Sequence, residues 1–174
     1  MLRVVLTGAE STGKTALAER LAAHFDVPWS AEYAREYYAA RQAEGRRELT
    51  AADVEPIARG QLALEDAAAA RATRLAIHDT DLVSTVVYAR YYYGACPAWI
   101  ERAARERLAD LYLLCEADVP WATDPQRDRP EAREALQRRF RETLGALGAR
   151  VVDVRGSPDE RFALARDAIE SSRA

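Results

Sequence analysis

The chain has 174 residues and a formal net charge of −3, with 49% apolar and 30% charged residues. That length suits one domain able to bury roughly 70% of its unfolded surface, and the mixed, scattered charge offers no basic stripe for nucleic acid. Nothing approaches a membrane span; two cysteines, Cys96 and Cys115, without metal-type spacing or disulfide-scaffold density, point to a reduced, cytoplasmic enzyme.

Short β-type runs alternate with longer segments of 3.6-residue period, the mark of an α/β fold. Residues 3–7 read as the first strand, and Leu17, Leu21 and Phe25 mark the buried stripe of a helix over 14–25. A second strand over 27–31 delivers Glu32-Tyr33-Ala34-Arg35-Glu36-Tyr37 at its end. Thr50 opens an alanine-rich helix reaching to about 73, with Asp53 at the reciprocal capping position. The third strand, 74–78, ends in Asp79-Thr80-Asp81.

Helices near 82–93 and 98–108 follow, separated by Gly94 and Pro97, and 110–115 is a fourth strand ending in Cys115, read as a small buried hydrophobe. Residues 119–130 hold three prolines and two arginines without periodicity and read as a polar loop. Leu136, Phe140, Leu144 and Leu147 predict a further helix closed by Gly148, and 151–154 is a fifth strand. Ser157-Pro158-Asp159-Glu160 then combines an N-cap, a proline at the first helical position and a capping-box glutamate. The expected architecture is a single domain over 1–174: a three-layer α/β sandwich around a five-stranded parallel sheet, of P-loop NTPase, nucleoside-kinase-like type, with a lid at about 119–130.

One lysine stands among 25 basic residues, and it is Lys14. Gly8-Ala9-Glu10-Ser11-Thr12-Gly13-Lys14-Thr15 has the form G-x-x-x-x-G-K-[ST], between a strand and an amphipathic helix, which is the context a phosphate-binding loop requires. The compact ammonium fits between two phosphates where the wide fork of Arg would clash. Backbone N–H groups from Glu10 through Thr15, at the positive end of the helix, would wrap the β-phosphate of ATP, with Ala16 at the edge of the site. Gly8 and Gly13 allow close approach, and the Thr15 hydroxyl is offered to Mg²⁺.

Asp79, ending an apolar strand, stands where a carboxylate of this class holds Mg²⁺. Asp81 could bind the metal or a substrate hydroxyl, or cap the following helix. Glu32, beyond the second strand, should face the cleft and act as general base, with Asp81 as the alternative; Arg35 beside it also fits an ordinary ion pair. Arg127 and Arg129 on the loop could close over the γ-phosphate. Trp121, Tyr33 and Tyr93 add aromatics near the same cleft, for packing or for stacking on a flat ring. A second lysine would be needed for a Ras-type guanine loop or for a protein kinase, so both are excluded. A small P-loop kinase or an ATPase remains.

These residues resemble a known family. Leu6 through Thr15, Glu32 through Tyr37, His78-Asp79-Thr80-Asp81, Tyr93-Gly94, and Leu113 through Trp121 with Asp124 and Arg127 are similar, in that order, to the ribosylnicotinamide kinase domain of NadR-type proteins. The similarity runs from about residue 3 to the last helix. Members are also described generically as AAA-type ATPases, and often carry an adenylyltransferase or a helix-turn-helix before this module; with a P-loop starting at Gly8, neither is expected here. The resemblance implies ATP-dependent phosphorylation of the 5′-hydroxyl of nicotinamide riboside, giving nicotinamide mononucleotide for NAD synthesis. The riboside's cationic ring would suit the face of Trp121, with Glu116 and Asp118 nearby in sequence. Another small-molecule kinase and a nucleotide-dependent switch are the alternatives.

Overall fold

The computed structural model describes residues 1–46, 48–118 and 132–173. Among these residues five strands, β1 (Leu2–Thr7), β2 (Trp29–Ser30), β3 (Leu75–Asp79), β4 (Leu111–Cys115) and β5 (Val151–Val154), form one sheet in the order β2-β3-β1-β4-β5. Every pairing is parallel. Among the described residues, seven α-helices flank the strands: α1 (Lys14–Phe25), α2 (Tyr33–Ala43), α3 (Val54–Arg71), α4 (Leu82–Tyr93), α5 (Ala98–Glu106), α6 (Arg133–Ala146) and α7 (Pro158–Arg173). The expected three-layer sandwich is what forms.

Strand alternation divides the core in two. Val4 and Leu6 of β1, with Leu111 and Leu113 of β4, face α1 and α7 through Leu17, Leu21, Ala165 and Ile169. Val5, Tyr112 and Leu114 face the other way, onto Val86 and Val87 of α4, Ile100 of α5, and Leu136, Phe140 and Leu144 of α6. Strands β3 and β4 are buried on both faces: β4 is apolar throughout but for the Tyr112 hydroxyl, and β3 runs apolar through Ile77 before ending in His78 and Asp79. Leu136, Phe140 and Leu144 have no exposed surface, and burial of each contributes about 1.5–3 kcal/mol. The expected stripe of α6 is therefore met, with Leu147 half-buried just past the helix end and Gly148 closing it at a φ of 68°.

Capping explains several boundaries. At α7, the Ser157 N–H donates to Glu160 Oε2 at 2.7 Å and the Glu160 N–H to Ser157 Oγ at 3.4 Å, the reciprocal pair expected from sequence. Thr50 and Asp53 form the other capping box, but it heads a 3-10 turn, Ala51–Asp53, that leads into α3. Asp53 also receives the Tyr37 hydroxyl at 2.7 Å and pairs with Arg41 at 3.1 Å, which draws α2 onto the start of α3. The second strand is shorter than the expected 27–31. It lies at the sheet edge, and Pro28 enters the ladder only as an acceptor, its carbonyl receiving the Ile77 N–H at 3.2 Å. Among the described residues, no helix is long and apolar enough to cross a membrane.

Candidate active site

The carboxyl ends of β1, β2 and β3 supply the candidate chemistry. β1 is the central strand and its loop opens between the two halves of the sheet, where ligands of open parallel sheets bind. Gly8 has a φ of 127°, and a Cβ there would lie 2.7 Å from the Cys115 carbonyl oxygen. Only glycine lets the loop leave β1 so close to β4. Gly13 (φ 78°) and Ser11 (φ 53°) complete the turn into α1.

Lys14 folds back over this loop and is 5% exposed. Its Nζ donates to the Gly8 carbonyl at 3.1 Å, the Ala9 carbonyl at 2.7 Å and Thr12 Oγ1 at 3.5 Å. The ammonium is thus held against the loop by neutral acceptors, which phosphate oxygens can outbid because their hydrogen bonds carry charge.

Three side chains brace the loop from outside, and none was singled out by sequence. Gln137 of α6 accepts from the Ala9 N–H at 2.9 Å and donates to the Cys115 carbonyl at 3.2 Å. Arg133, the first residue of α6, donates to the Ser11 carbonyl at 2.9 Å. Arg161 of α7, 5% exposed, donates to the carbonyls of Thr12 at 2.8 Å, Glu116 at 2.9 Å and Gly156 at 2.9 Å, and pairs with Asp118. Burial, then the neighbouring Arg161 charge, lowers the pKa of the Arg133 guanidinium. Both arginines sit in the first turn of a helix, where a cation opposes the dipole. That unfavourable placement was the available signal.

Thr15 Oγ1 donates to Asp79 Oδ2 at 2.5 Å, joining the first turn of α1 to the end of β3. Both are hard oxygen donors, and Asp79 has no exposed surface. Among the described residues, no group of three or more His, Cys, Asp or Glu could hold a metal. A hydroxyl and one carboxylate fit Mg²⁺ shared with phosphates and water, not a cation in an all-protein cage.

Glu32 is the N-cap residue of α2, makes no side-chain cap there, and is 7% exposed. Since Ser30 pairs with His78 across β2 and β3, Glu32 stands just past the end of β2 and Asp79 is the last residue of the neighbouring β3. Arg35 does form the ion pair considered from sequence, at 3.2 Å, but with a buried carboxylate and not on an open helix face. His78 is a strut: its Nδ1 lies 2.8 Å from Ser30 Oγ, and burial, with Arg3 and Arg107, depresses its pKa to about 4.

Of the readings open to Asp81, metal ligand, substrate-hydroxyl ligand or helix cap, its contacts show the cap. Asp81 is 4% exposed; its Oδ1 accepts from the Val83 N–H at 3.0 Å, capping α4, and its Oδ2 accepts from the Tyr112 hydroxyl at 2.6 Å. In the last turn of α4, Tyr92 reaches the loop, its hydroxyl donating to Glu10 Oε1 at 3.3 Å, whereas Tyr93, expected near the substrate, is 37% exposed. Tyr33 is half-buried, its ring lying over Gly60 of α3. Trp121, Arg127, Arg129 and the lid over 119–130 lie outside the described residues. A cavity of about 310 Å³ between α4, α5 and α6, floored by Val83, Val86 and Val87, includes none of the loop residues, Glu32 or Asp79.

A family model described as an AAA domain matches residues 3–161. The chain belongs to that family. Among curated relatives, it is 30% identical to the trifunctional NAD biosynthesis/regulator protein NadR of Salmonella typhimurium (strain LT2), over 91% of this chain and 40% of that protein. To the NadR of Escherichia coli (strain K12) it is 31% identical, over 70% of this chain and 30% of that one. It thus spans well under half the length of either. Among solved structures, NadR protein in complex with NR superposes with a TM-score of 0.82 at 25% identity, covering 99% of this chain and 51% of that one. NadR protein in complex with NAD and AMP-PNP gives 0.80 at 26%, covering 99% and 49%. Thymidylate kinase from Ehrlichia chaffeensis, at 12% identity and a TM-score of 0.68 over 98% of this chain and 97% of that one, shares the fold. The resemblance to NadR-type proteins and the P-loop kinase fold both stand.

Behind the site lies a buried acidic pair. Glu65 of α3 is 2% exposed, 3.2 Å from Arg3 and 3.7 Å from Arg107. Burial and the like charge of Asp81 push its carboxyl up, against the pull of the two arginines, to about 8. Asp81 is raised too, by burial. Between the ordinary 4.5 and about 8, the folded chain keeps a proton that the unfolded chain releases. Stability therefore falls as pH rises through that window. Glu65→Gln removes this titration, so urea midpoints of the variant should decline less from pH 5 to pH 8 than those of the wild type. Parallel profiles would refute the assignment.

Proposed function

We propose that this chain transfers the γ-phosphate of ATP to the 5′-hydroxyl of nicotinamide riboside, giving nicotinamide mononucleotide. The observation that carries the reading is the joining of the Lys14 loop to Asp79 through Thr15, beside a buried Glu32 at the end of the adjacent strand. The NadR relatives, one of them solved in complex with NR, support the choice of substrate.

Lys14 holds the β- and γ-phosphate oxygens while the amides of Glu10 through Thr15 cradle the β-phosphate. Thr15 and Asp79 would hold Mg²⁺, which neutralises charge on the β- and γ-phosphates. Glu32 accepts the proton of the 5′-hydroxyl as that oxygen bonds to the γ-phosphorus and the bond to the ADP oxygen breaks. Glu32 is preferred to Asp81 as base because both Asp81 oxygens serve Val83 and Tyr112. Arg127 and Arg129 offset charge on the transferring group, and Trp121 stacks on the pyridinium ring.

The test is coupled detection of ADP with nicotinamide riboside, against uridine, adenosine and shikimate. Turnover with the riboside well above the other three is expected; equal or absent turnover would remove the substrate assignment. Glu32→Gln should lower kcat by about 10²- to 10⁴-fold, the usual contribution of a positioned base, while nucleotide affinity holds. If Glu32→Gln kept full activity, the base would lie elsewhere.

A further inference from the structure

Helix α3 carries one amide into the buried space behind the cleft. Gln61 is 2% exposed, and both ends of its side chain are engaged. Its Oε1 accepts from the Tyr33 N–H at 3.0 Å, and its Nε2 donates to the Thr80 carbonyl at 3.2 Å. The first bond satisfies a donor in the opening turn of α2, which its own N-cap residue Glu32 does not serve. The second restrains a residue with a φ of 69°, a left-handed conformation costly for a β-branched side chain. Thr80 is held from the other side by its own N–H, which donates to the Leu6 carbonyl at 3.0 Å. Next to Gln61, Gly60 makes room for the Tyr33 ring, since a Cβ there would fall 1.9 Å from Tyr33 Cε1. Two consecutive residues of α3 thus seat Tyr33 by ring and backbone together.

Glu32 immediately precedes Tyr33, and Asp79 immediately precedes Thr80. We propose that Gln61 is a positioning residue for phosphoryl transfer, its one buried amide holding the segment that bears Glu32 at a set spacing from the segment that bears Asp79. This rests on the roles given above to those two carboxylates. An amide is needed because its partners have opposite polarity, a backbone donor at one end and a backbone acceptor at the other. Methionine matches its length but supplies neither bond. An ionised glutamate would turn a second acceptor toward the Thr80 carbonyl.

Gln61→Met and Gln61→Glu are compared with the wild type by steady-state kinetics, by binding of a fluorescent ATP analogue and by amide hydrogen exchange. Gln61→Met is expected to keep nucleotide affinity within about twofold while kcat falls roughly 10- to 100-fold, the scale on which small misplacements of reacting groups slow catalysis. Exchange at Tyr33 and Thr80 should quicken together, with the P-loop amides unchanged. Gln61→Glu should recover relative to wild type as pH falls, because a protonated carboxyl donates and accepts as the amide does. Of the titratable groups, Glu65, one turn along α3, hydrogen-bonds Gln61 and feels the charges of Asp81, Arg3 and Arg107; His78 on β3 feels the same two arginines, and Tyr112 on β4 is bonded to Asp81.

Turnover of Gln61→Met within twofold of wild type, or parallel pH profiles for Gln61→Glu and wild type, would overturn the proposal. A wild type active on another nucleoside refutes only the substrate assignment, and the variants are then compared on that nucleoside. The exchange measurement reads the clamp with no acceptor present, and unchanged exchange at Tyr33 and Thr80 in Gln61→Met overturns it.

Discussion

Lys14→Ala abolishes phosphoryl transfer, with kcat/KM reduced by about 10³-fold or more, in a protein that remains folded. The size of the loss follows from the place of the ammonium. It is buried and held by the Gly8 and Ala9 carbonyls of the loop, from which it would meet charge on the transferring phosphoryl group. Folding survives because the loop does not depend on the ammonium for its shape. Gln137 grips Ala9, Arg133 grips Ser11 and Arg161 grips Thr12. Lys14→Arg should fail nearly as badly, since a planar guanidinium cannot enter a space shaped for three point-charge contacts. Thermal melts matching the wild type, together with loss of ADP formation, are the expected pair of results. Full turnover in Lys14→Ala would dismantle the site as described.

Asp79→Ala is the second large effect, about 10³-fold in kcat at a fixed magnesium concentration. The carboxylate has no exposed surface, and its Oδ2 accepts the Thr15 hydroxyl at 2.5 Å. Asp79→Ala releases the Thr15 hydroxyl, which is half-buried and can bond water instead, so the variant should melt close to the wild type. Loss of turnover with an unchanged Tm is the signature of a group kept for chemistry. Asp79→Asn separates charge from geometry: it can still accept the Thr15 hydroxyl, and should require much more magnesium for whatever activity remains. A magnesium titration of ADP formation measures this. Activity of Asp79→Ala within tenfold of wild type would place the metal on other residues.

Much of the scaffold was legible because the signals are local. The turn from β1 through Gly8 and Gly13 into α1, the four-residue recurrence of Leu17, Leu21 and Phe25, and the Ser157-to-Glu160 capping box each lie within one or two helical turns of chain. Such features require no knowledge of what packs against them. The Thr50–Asp53 box was legible too, but not the 3-10 turn it heads, nor that Tyr37 and Arg41 reach Asp53 from α2.

The candidate site divides along the same line. Lys14, Thr15 and Asp79 carry their chemistry in short motifs at strand ends. The work of Asp81 could not be read that way, because a carboxylate before a helix is equally suited to capping and to catalysis. Tyr112, 31 residues away, settles that its second oxygen also faces inward. Gln137 and Arg161 meet the loop from 128 and 149 residues downstream. Their sequence neighbourhoods hold only a glutamine beside an apolar stripe and an arginine in a first helical turn.

By itself, then, the order of residues determined the parallel α/β sandwich, the phosphate-binding loop and the identity of its single ammonium, since backbone propensity and side-chain period act over a few residues. Only the tertiary structure decided which polar side chains brace that loop, that Asp81 turns inward, and that Gln61 ties the Glu32 segment to the Asp79 segment. Those choices depend on burial, because an amide or guanidinium removed from water must find partners wherever the folded chain has brought them.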